Sequence, residues 1–246
     1  MFAVIFEVQP KQERWDDYLG LAKQLKPKLE AIDGFIDNER FESKRRKGCL
    51  LSLSTWRDEK AVVRWRTQGE HHGVQEKGRF EIFGDYHLRV GEITADSRPP
   101  KGLTVDQKRF DETEIGTAKV ATITEVTPRE AGTGGAKSDI KSDIEPADLG
   151  LDVAANGLVD HDMFESIYNP GKLLLLASWR DADAAKAWSP VQPAPAKSIR
   201  HRQVRIVRDY GMFDRREAPQ FYSDVQKADA DKVDAHAGQR KRAAAR

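Results

Sequence analysis

The stretch Phe41–Trp65, FESKRRKGCLLSLSTWRDEKAVVRW, decides the fold, because the chain contains it twice. Phe164–Trp188 reads FESIYNPGKLLLLASWRDADAAKAW, at a constant offset of 123 residues (164 − 41) and without a gap. Phe41, Glu42, Ser43, Gly48, Leu50, Leu51, Leu53, Trp56, Arg57, Asp58, Ala61 and Trp65 all recur at that offset. Upstream, Ala3, Glu7, Val8 and Pro10 match Ala121, Glu125, Val126 and Pro128 at an offset of 118. Downstream, Leu88, Arg89 and Val90 align with Val204, Arg205 and Ile206 at 116, so the second copy loses seven residues (123 − 116) after Trp188. A repeat of this length is a duplicated domain and not a short solenoid unit.

The 246 residues then divide into two domains of about 100 residues, each long enough for its own core. The division expected is domain 1 at 1–96, a linker at 97–116, a degenerate domain 2 at 117–220, and a disordered basic tail at 221–246. A net charge of +1, with acids and bases interspersed, gives no electrostatic case for nucleic acid or a membrane surface. The single cysteine, Cys49, excludes an internal disulfide, fits a cytoplasmic location and reads as an inert buried thiol. No apolar run approaches the ~20 residues of a membrane span. MFAVIFEVQP is too short, and lacks the basic flank, for a signal peptide.

Within domain 1, alternation makes Phe2–Val8 a strand, and apolar steps of three and four from Trp15 to Ile32 make an amphipathic helix. Pro27 is expected to kink that helix and Gly34 to end it. Phe35–Ser43 and Cys49–Trp56 form a hairpin across the basic turn Lys44–Gly48. Asp58 caps a second helix, read as continuous through His71 and His72, and Phe83–Ile93 is the last strand. The order β-α-β-β-α-β is the ferredoxin-like, α+β arrangement, an antiparallel sheet with helices on one face. Both faces of the first strand are apolar, so the bare face needs a cover. The second copy supplies it: two ferredoxin-like domains packed sheet to sheet, a pseudo-dimer within one chain. In copy two the glycine-rich AGTGGAKSD segment replaces a regular first helix and is expected to be mobile, and SPVQPAPA ends the helix at Trp188.

The set AVIFEV, GFI, FES, LLSLSxWRD, AxxxWR, EHHGVQEKGR and DYxLRV resembles the antibiotic biosynthesis monooxygenase (ABM) family of dimeric α+β barrels. The second copy is similar in FES, LLLLASWRD and AxxW, and ends in VRIVRDYGMFDRREAP. The resemblance implies a pocket for a small hydrophobic or aromatic molecule, oxygenated with O2 without metal or flavin, or alternatively a haem site. In the cofactor-free case a base ionises the substrate and a dry pocket stabilises the anion. His71 or His72 suits the base, Trp65 and Trp56 the walls, and Tyr86 or Arg66 the orientation of a substrate oxygen. Haem-degrading members pair their histidine with a tryptophan and a strand-one asparagine, where this chain has Phe6 and Glu7. Trp56 and Trp65 recur in copy two while the histidines do not, a pattern that also fits tryptophans serving the core. The pocket is expected in domain 1, with copy two covering the other sheet face. A non-catalytic ligand binder is the rival reading.

Overall fold

The computed structural model describes residues 1–129, 144–194 and 196–225. The first half runs β1 (Phe2–Pro10), α1 (Trp15–Glu30), β2 (Phe35–Ser43), β3 (Leu50–Trp56), α2 (Glu59–Arg66), α3 (Gly69–Lys77) and β4 (Phe83–Asp96). The second runs β5 (Val120–Pro128), β6 (Leu158–Ser166), β7 (Leu173–Trp179), α4 (Ala182–Lys186) and β8 (Ala196–Gly211). The AGTGGAKSD segment, and the tail beyond Val225, lie outside the described residues.

The eight strands close into one antiparallel barrel in the order β1-β3-β2-β6-β7-β5-β8-β4. Each half contributes the ferredoxin-like order, and the two sheets join along both edges as well as facing each other across the core. One seam is short, with Phe41, Glu42 and Ser43 opposite Ser166, Glu165 and Phe164. The other is long, from His87 opposite Gly211 to Asp96 opposite Arg202. Inside, Ile5, Phe41, Leu51, Leu53 and Ile93 meet their repeat counterparts Ile123, Phe164, Leu174, Leu176 and Ile206 in one buried cluster.

That pairing corrects the alignment of the last strands. Ile5 lies opposite Arg89 and Ile123 opposite Arg202, an offset of 113 (202 − 89). The second copy has therefore lost ten residues (123 − 113), not seven. Arginines flanked by other residues recur along β8, and matching residue types selected Arg205, whereas the buried carboxylate selects Arg202. Glu7 is held by Arg89 and Arg46, and Glu125 by Arg202 and Lys172. Burial works to raise both carboxyls, but these cations outweigh it and hold both below the usual glutamate range.

The same cations cross the short seam. Arg46 reaches Asp162 at 2.8 Å and Lys172 reaches Glu39. Ser43 Oγ donates to Asp162 Oδ2 at 2.8 Å, and Ser166 Oγ donates to Glu39 Oε1 at 2.5 Å. Glu39 and Asp162 are 123 residues apart (162 − 39), so the contact is self-complementary, as a twofold interface requires. The basic hairpin turn belongs to this seam.

The helices lie outside the barrel. α1 runs through Pro27 to Glu30 without a break, its buried face formed by Tyr18, Ala22, Leu25 and Leu29. The expected second helix is two: α2 stops at Arg66, and Gln68, whose side chain accepts from His71 N, caps α3. The α2 and α4 starts are built alike, with Asp58 and Asp181 accepting from Ala61 N and Ala184 N, both at 2.8 Å. Gly34 at φ 91° and Gly157 at φ 87° pass beneath these starts. A Cβ on Gly34 would lie 2.7 Å from Ala61 Cβ. Gly34→Ala should therefore cost more than about 1–2 kcal/mol. Gly48→Ala, also at positive φ but with no neighbour within 4 Å, should cost less. Urea midpoints check this, and equal losses would contradict it.

Candidate active site

Strand register sets the floor of a cavity of about 210 Å³ on the helix side of the first half. Two rows of residues run straight across five strands, and all ten line it. One row is Arg40–Ser52–Phe6–Leu88–Tyr210, and the other is Asn38–Ser54–Val4–Val90–Arg208. The middle is apolar and both ends are polar. The fifth strand, β8, belongs to the second half, so copy two forms part of the cavity and does more than cover the far sheet face.

The roof comes from α1 through Leu21 and Leu25, from α2 through Val62, Trp65 and Arg66, and from α3 through His71, Val74 and Gln75. A five-residue π-turn, Gly78–Ile82, adds Arg79 and Ile82. The wall is completed by the segment after β8, with Arg215, Pro219, Gln220 and Tyr222. Gln220 Nε2 donates to Arg66 O at 3.3 Å, and Arg79 Nη2 donates to Ser223 O at 3.2 Å. Arg215 lies between the rings of Tyr210 and Tyr222, at 5.6 and 5.2 Å. The tail was expected to be disordered from Phe221, yet Tyr222 is part of the wall. Its signal was the aromatic pair Phe221-Tyr222 in an otherwise polar stretch.

The helix break at Thr67–Gln68 brings the His71 ring flat against Trp65, with centroids 4.0 Å apart and planes at 15°. His71 Nδ1 lies 2.9 Å from Trp65 O. A carbonyl only accepts, so Nδ1 carries the proton and Nε2 is left as an unprotonated acceptor. Burial pushes His71 down to about 4, against a smaller upward pull from the Trp65 carbonyl. The imidazole is therefore neutral at pH 7, and a weaker base than a solvent-exposed histidine.

Tyr86 lines the cavity, and its hydroxyl accepts from Arg215 Nη1 at 2.5 Å and Arg79 Nη1 at 3.3 Å. The Arg66 guanidinium lines it too, with its Nε buried and unpartnered among the described residues. Burial pushes Tyr210 up to about 12, and Arg215, Arg66 and Arg208 are near enough to offset part of that rise.

Two expected site residues lie elsewhere. Trp56 is wholly buried beside Phe35, and its indole N–H donates to Ser54 Oγ at 2.9 Å. Trp179 does the same to Thr122 Oγ1, so this tryptophan is part of the duplicated core. His72 is exposed, is absent from the cavity lining, and its Nδ1 lies 3.2 Å from the Tyr222 hydroxyl. His87 is exposed and pairs with Asp209 at 2.6 Å. Cys49 is buried and its thiol is pushed up to about 11 by that burial, as befits an inert group. No group of three or more His, Cys, Asp or Glu among the described residues is arranged to hold a metal ion.

In the second half, the corresponding side of the sheet is occupied. Trp188, the counterpart of Trp65, is buried against Trp179 at 6.0 Å, together with Ile144, Leu149, Leu151 and Met163.

Fold and cavity together define an α+β barrel whose two halves build one apolar-floored cavity. Residues 1–77 match the model of the antibiotic biosynthesis monooxygenase family. The chain is 44% identical over 227 residues to the jasmonate monooxygenase ABM of Pyricularia oryzae, covering 90% of this chain and 98% of that relative. Two aldoxime dehydratase structures, one in complex with butyraldoxime, superimpose with TM-scores of 0.53 and 0.52, both at 12% identity over 83% of this chain. They cover 78% and 80% of those chains, and at that identity the likeness concerns the fold alone. The chain belongs to the antibiotic biosynthesis monooxygenase family, and it is a monooxygenase. Among the described residues no helix is long and apolar enough to cross a membrane.

The depressed His71 and His201 pKa values, both about 4, make a solution prediction. Between pH 6.5 and 4 the unfolded chain binds protons that the native chain refuses, so stability should fall as pH is lowered through that window. His71→Gln should flatten part of the slope in urea midpoints at pH 7 and 4.5. An unchanged slope would contradict it.

Proposed function

We propose that the first-half cavity is the monooxygenase site and that His71 is its proton acceptor. The observation that carries this is an imidazole fixed by Trp65, with one unprotonated nitrogen, in the wall of an apolar-floored cavity. The substrate is a small, mostly apolar molecule bearing oxygen. Jasmonate, named in the relative from Pyricularia oryzae, is the first to try, followed by aromatic polyketide-like molecules. Residues 1–96 form the catalytic unit in this reading. Residues 117–220 close the barrel and lend Arg208, Tyr210 and Arg215.

The chemistry proposed needs no cofactor. His71 Nε2 takes a proton from a carbon activated by a neighbouring carbonyl or ring. The carbanion gives its electron pair to O2 and, with the proton returned, becomes a hydroperoxide. Loss of water leaves a carbonyl where a CH2 stood, with one oxygen atom in the product and one in water. His71 is a weak base when the cavity is empty, so the developing substrate anion must stabilise the imidazolium, and the surrounding arginines must stabilise that anion. Trp65 holds the imidazole plane, and the Tyr86 hydroxyl, between Arg79 and Arg215, is placed to orient a substrate oxygen.

The size of the cavity speaks against haem, the alternative cofactor. About 210 Å³ falls below the roughly 300–1,000 Å³ of drug-sized ligand sites.

Oxygen uptake with purified full-length protein tests the reading. Wild type should consume O2 with the oxidised substrate, and His71→Gln should lower kcat by about 10²–10⁴. His72→Gln should leave it within about twofold, because His72 does not line the cavity. The acid limb of kcat/KM should fall near pH 4 and not near 6.5. Full turnover by His71→Gln would overturn the assignment.

A further inference from the structure

Most arginines in the described residues have a carboxylate partner, as Arg46, Arg89, Arg109, Arg200 and Arg202 do. The cavity gathers most of the exceptions. Arg40, Arg66, Arg79, Arg208 and Arg215 all line it, and among the described residues none makes an ion pair with Asp or Glu. The one acidic residue in the lining, Glu59, is already held by Arg109 through both carboxylate oxygens. Two of these arginines have other work. Arg79 donates to Met212 O and the Tyr86 hydroxyl, and Arg215 donates to the Tyr86 hydroxyl and Gln220 O.

Arg66 and Arg208 have no such employment. Neither guanidinium makes a hydrogen bond or a close ion pair among the described residues, although Asp111 lies within electrostatic reach of Arg208, and the Nε of Arg66 is buried as well. They come from different halves, Arg66 from the end of α2 and Arg208 from β8, and both line the cavity within electrostatic reach of Tyr210. Cations gathered against an apolar floor repel one another and lose hydration, and both costs are relieved by one anion between them. Arg40 has the same orphaned Nε but sits across the floor on β2, beside Tyr18.

We propose that the cavity selects small amphipathic carboxylates, with the apolar body on Val4, Phe6, Leu88 and Val90 and the carboxylate held between Arg66 and Arg208. This rests on the reading of the cavity as the active site and adds the substrate's charge and the residues that read it. Arg66 and Arg208 are specificity residues of the seam: neither half alone supplies the pair. An ester or alcohol of the same shape fills the apolar floor but leaves both guanidiniums unpaired.

Binding is the test, because it is read without O2. Jasmonate and its methyl ester are titrated into the full-length wild-type protein at pH 7 by calorimetry. The acid should bind at least about tenfold more tightly, and added salt should erode the difference. Arg66→Gln and Arg208→Gln, each confirmed to melt as wild type, should bring the acid's affinity down to the ester's and leave the ester's unchanged. Arg40→Gln should keep the preference. Equal binding of acid and ester by the wild type, binding of neither, or a preference abolished by Arg40→Gln alone would overturn the proposal. If the acid is preferred in this pattern but not oxidised, the proposal stands and the active-site reading falls. Oxidation of both with equal affinity gives the reverse.

Discussion

A four-stranded antiparallel sheet has two edges whose backbone N–H and C=O groups lack partners, and closing those edges is the constraint on which everything else here depends. The chain meets it with its own second copy. Each free edge pairs with its counterpart, and the apolar inner faces of both sheets become one barrel core. Partly buried ion clusters stand at the short seam: Glu7, Arg46 and Asp162 in one, Glu125, Lys172 and Glu39 in the other. Buried pairs of this kind often add little net stability, because desolvation offsets much of the attraction. Their use here is register. A slip by one residue would leave each carboxylate buried without its cation.

Closure also makes the site. Four strands of the first half would end the floor at Leu88 and Val90. Only because β8 continues it do Tyr210 and Arg208 complete the rows. The segment after β8 then reaches back over α3 and seals the wall. The duplicated partner is thus asymmetric in use: its own helix side is filled by Trp188 and neighbouring apolar residues, while its last strand serves the other half. The ten-residue loss after Trp188 removes the stretch that corresponds to α3, the helix carrying His71.

Much of this was legible in the sequence, for definite reasons. An ungapped repeat containing two tryptophans fixes the duplication, and alternation with both faces apolar demands a covered sheet. Trp65 and the pair His71-His72 could be singled out because aromatic and imidazole side chains near one helix face tend to meet, but not which histidine would do so. What could not be read was the break at Thr67–Gln68. A regular helix would have set His71 well around from Trp65, whereas the cap at Gln68 turns the ring onto the indole and ties Nδ1 to a carbonyl. Trp56 looked like a wall because composition does not distinguish an indole beneath a sheet from one above it. The slip of three residues in the last strand arose because residue types along β8 repeat, and only a buried carboxylate distinguishes Arg202 from Arg205. Arg208, Tyr210 and Tyr222 are far from the first half in sequence, and no local signal places them there.

Hydrogen exchange on the native full-length chain measures the seams most directly. The account predicts that amides at both seams, such as Lys44 and Ile167 beside β2·β6 and the β4·β8 ladder, are protected to the same degree as those of β1 and β3, and exchange with them in one cooperative opening. Rapid exchange along both seams while β1·β3 and β5·β7 stay protected would show two independent sheets, and would contradict a single barrel closed by its own repeat.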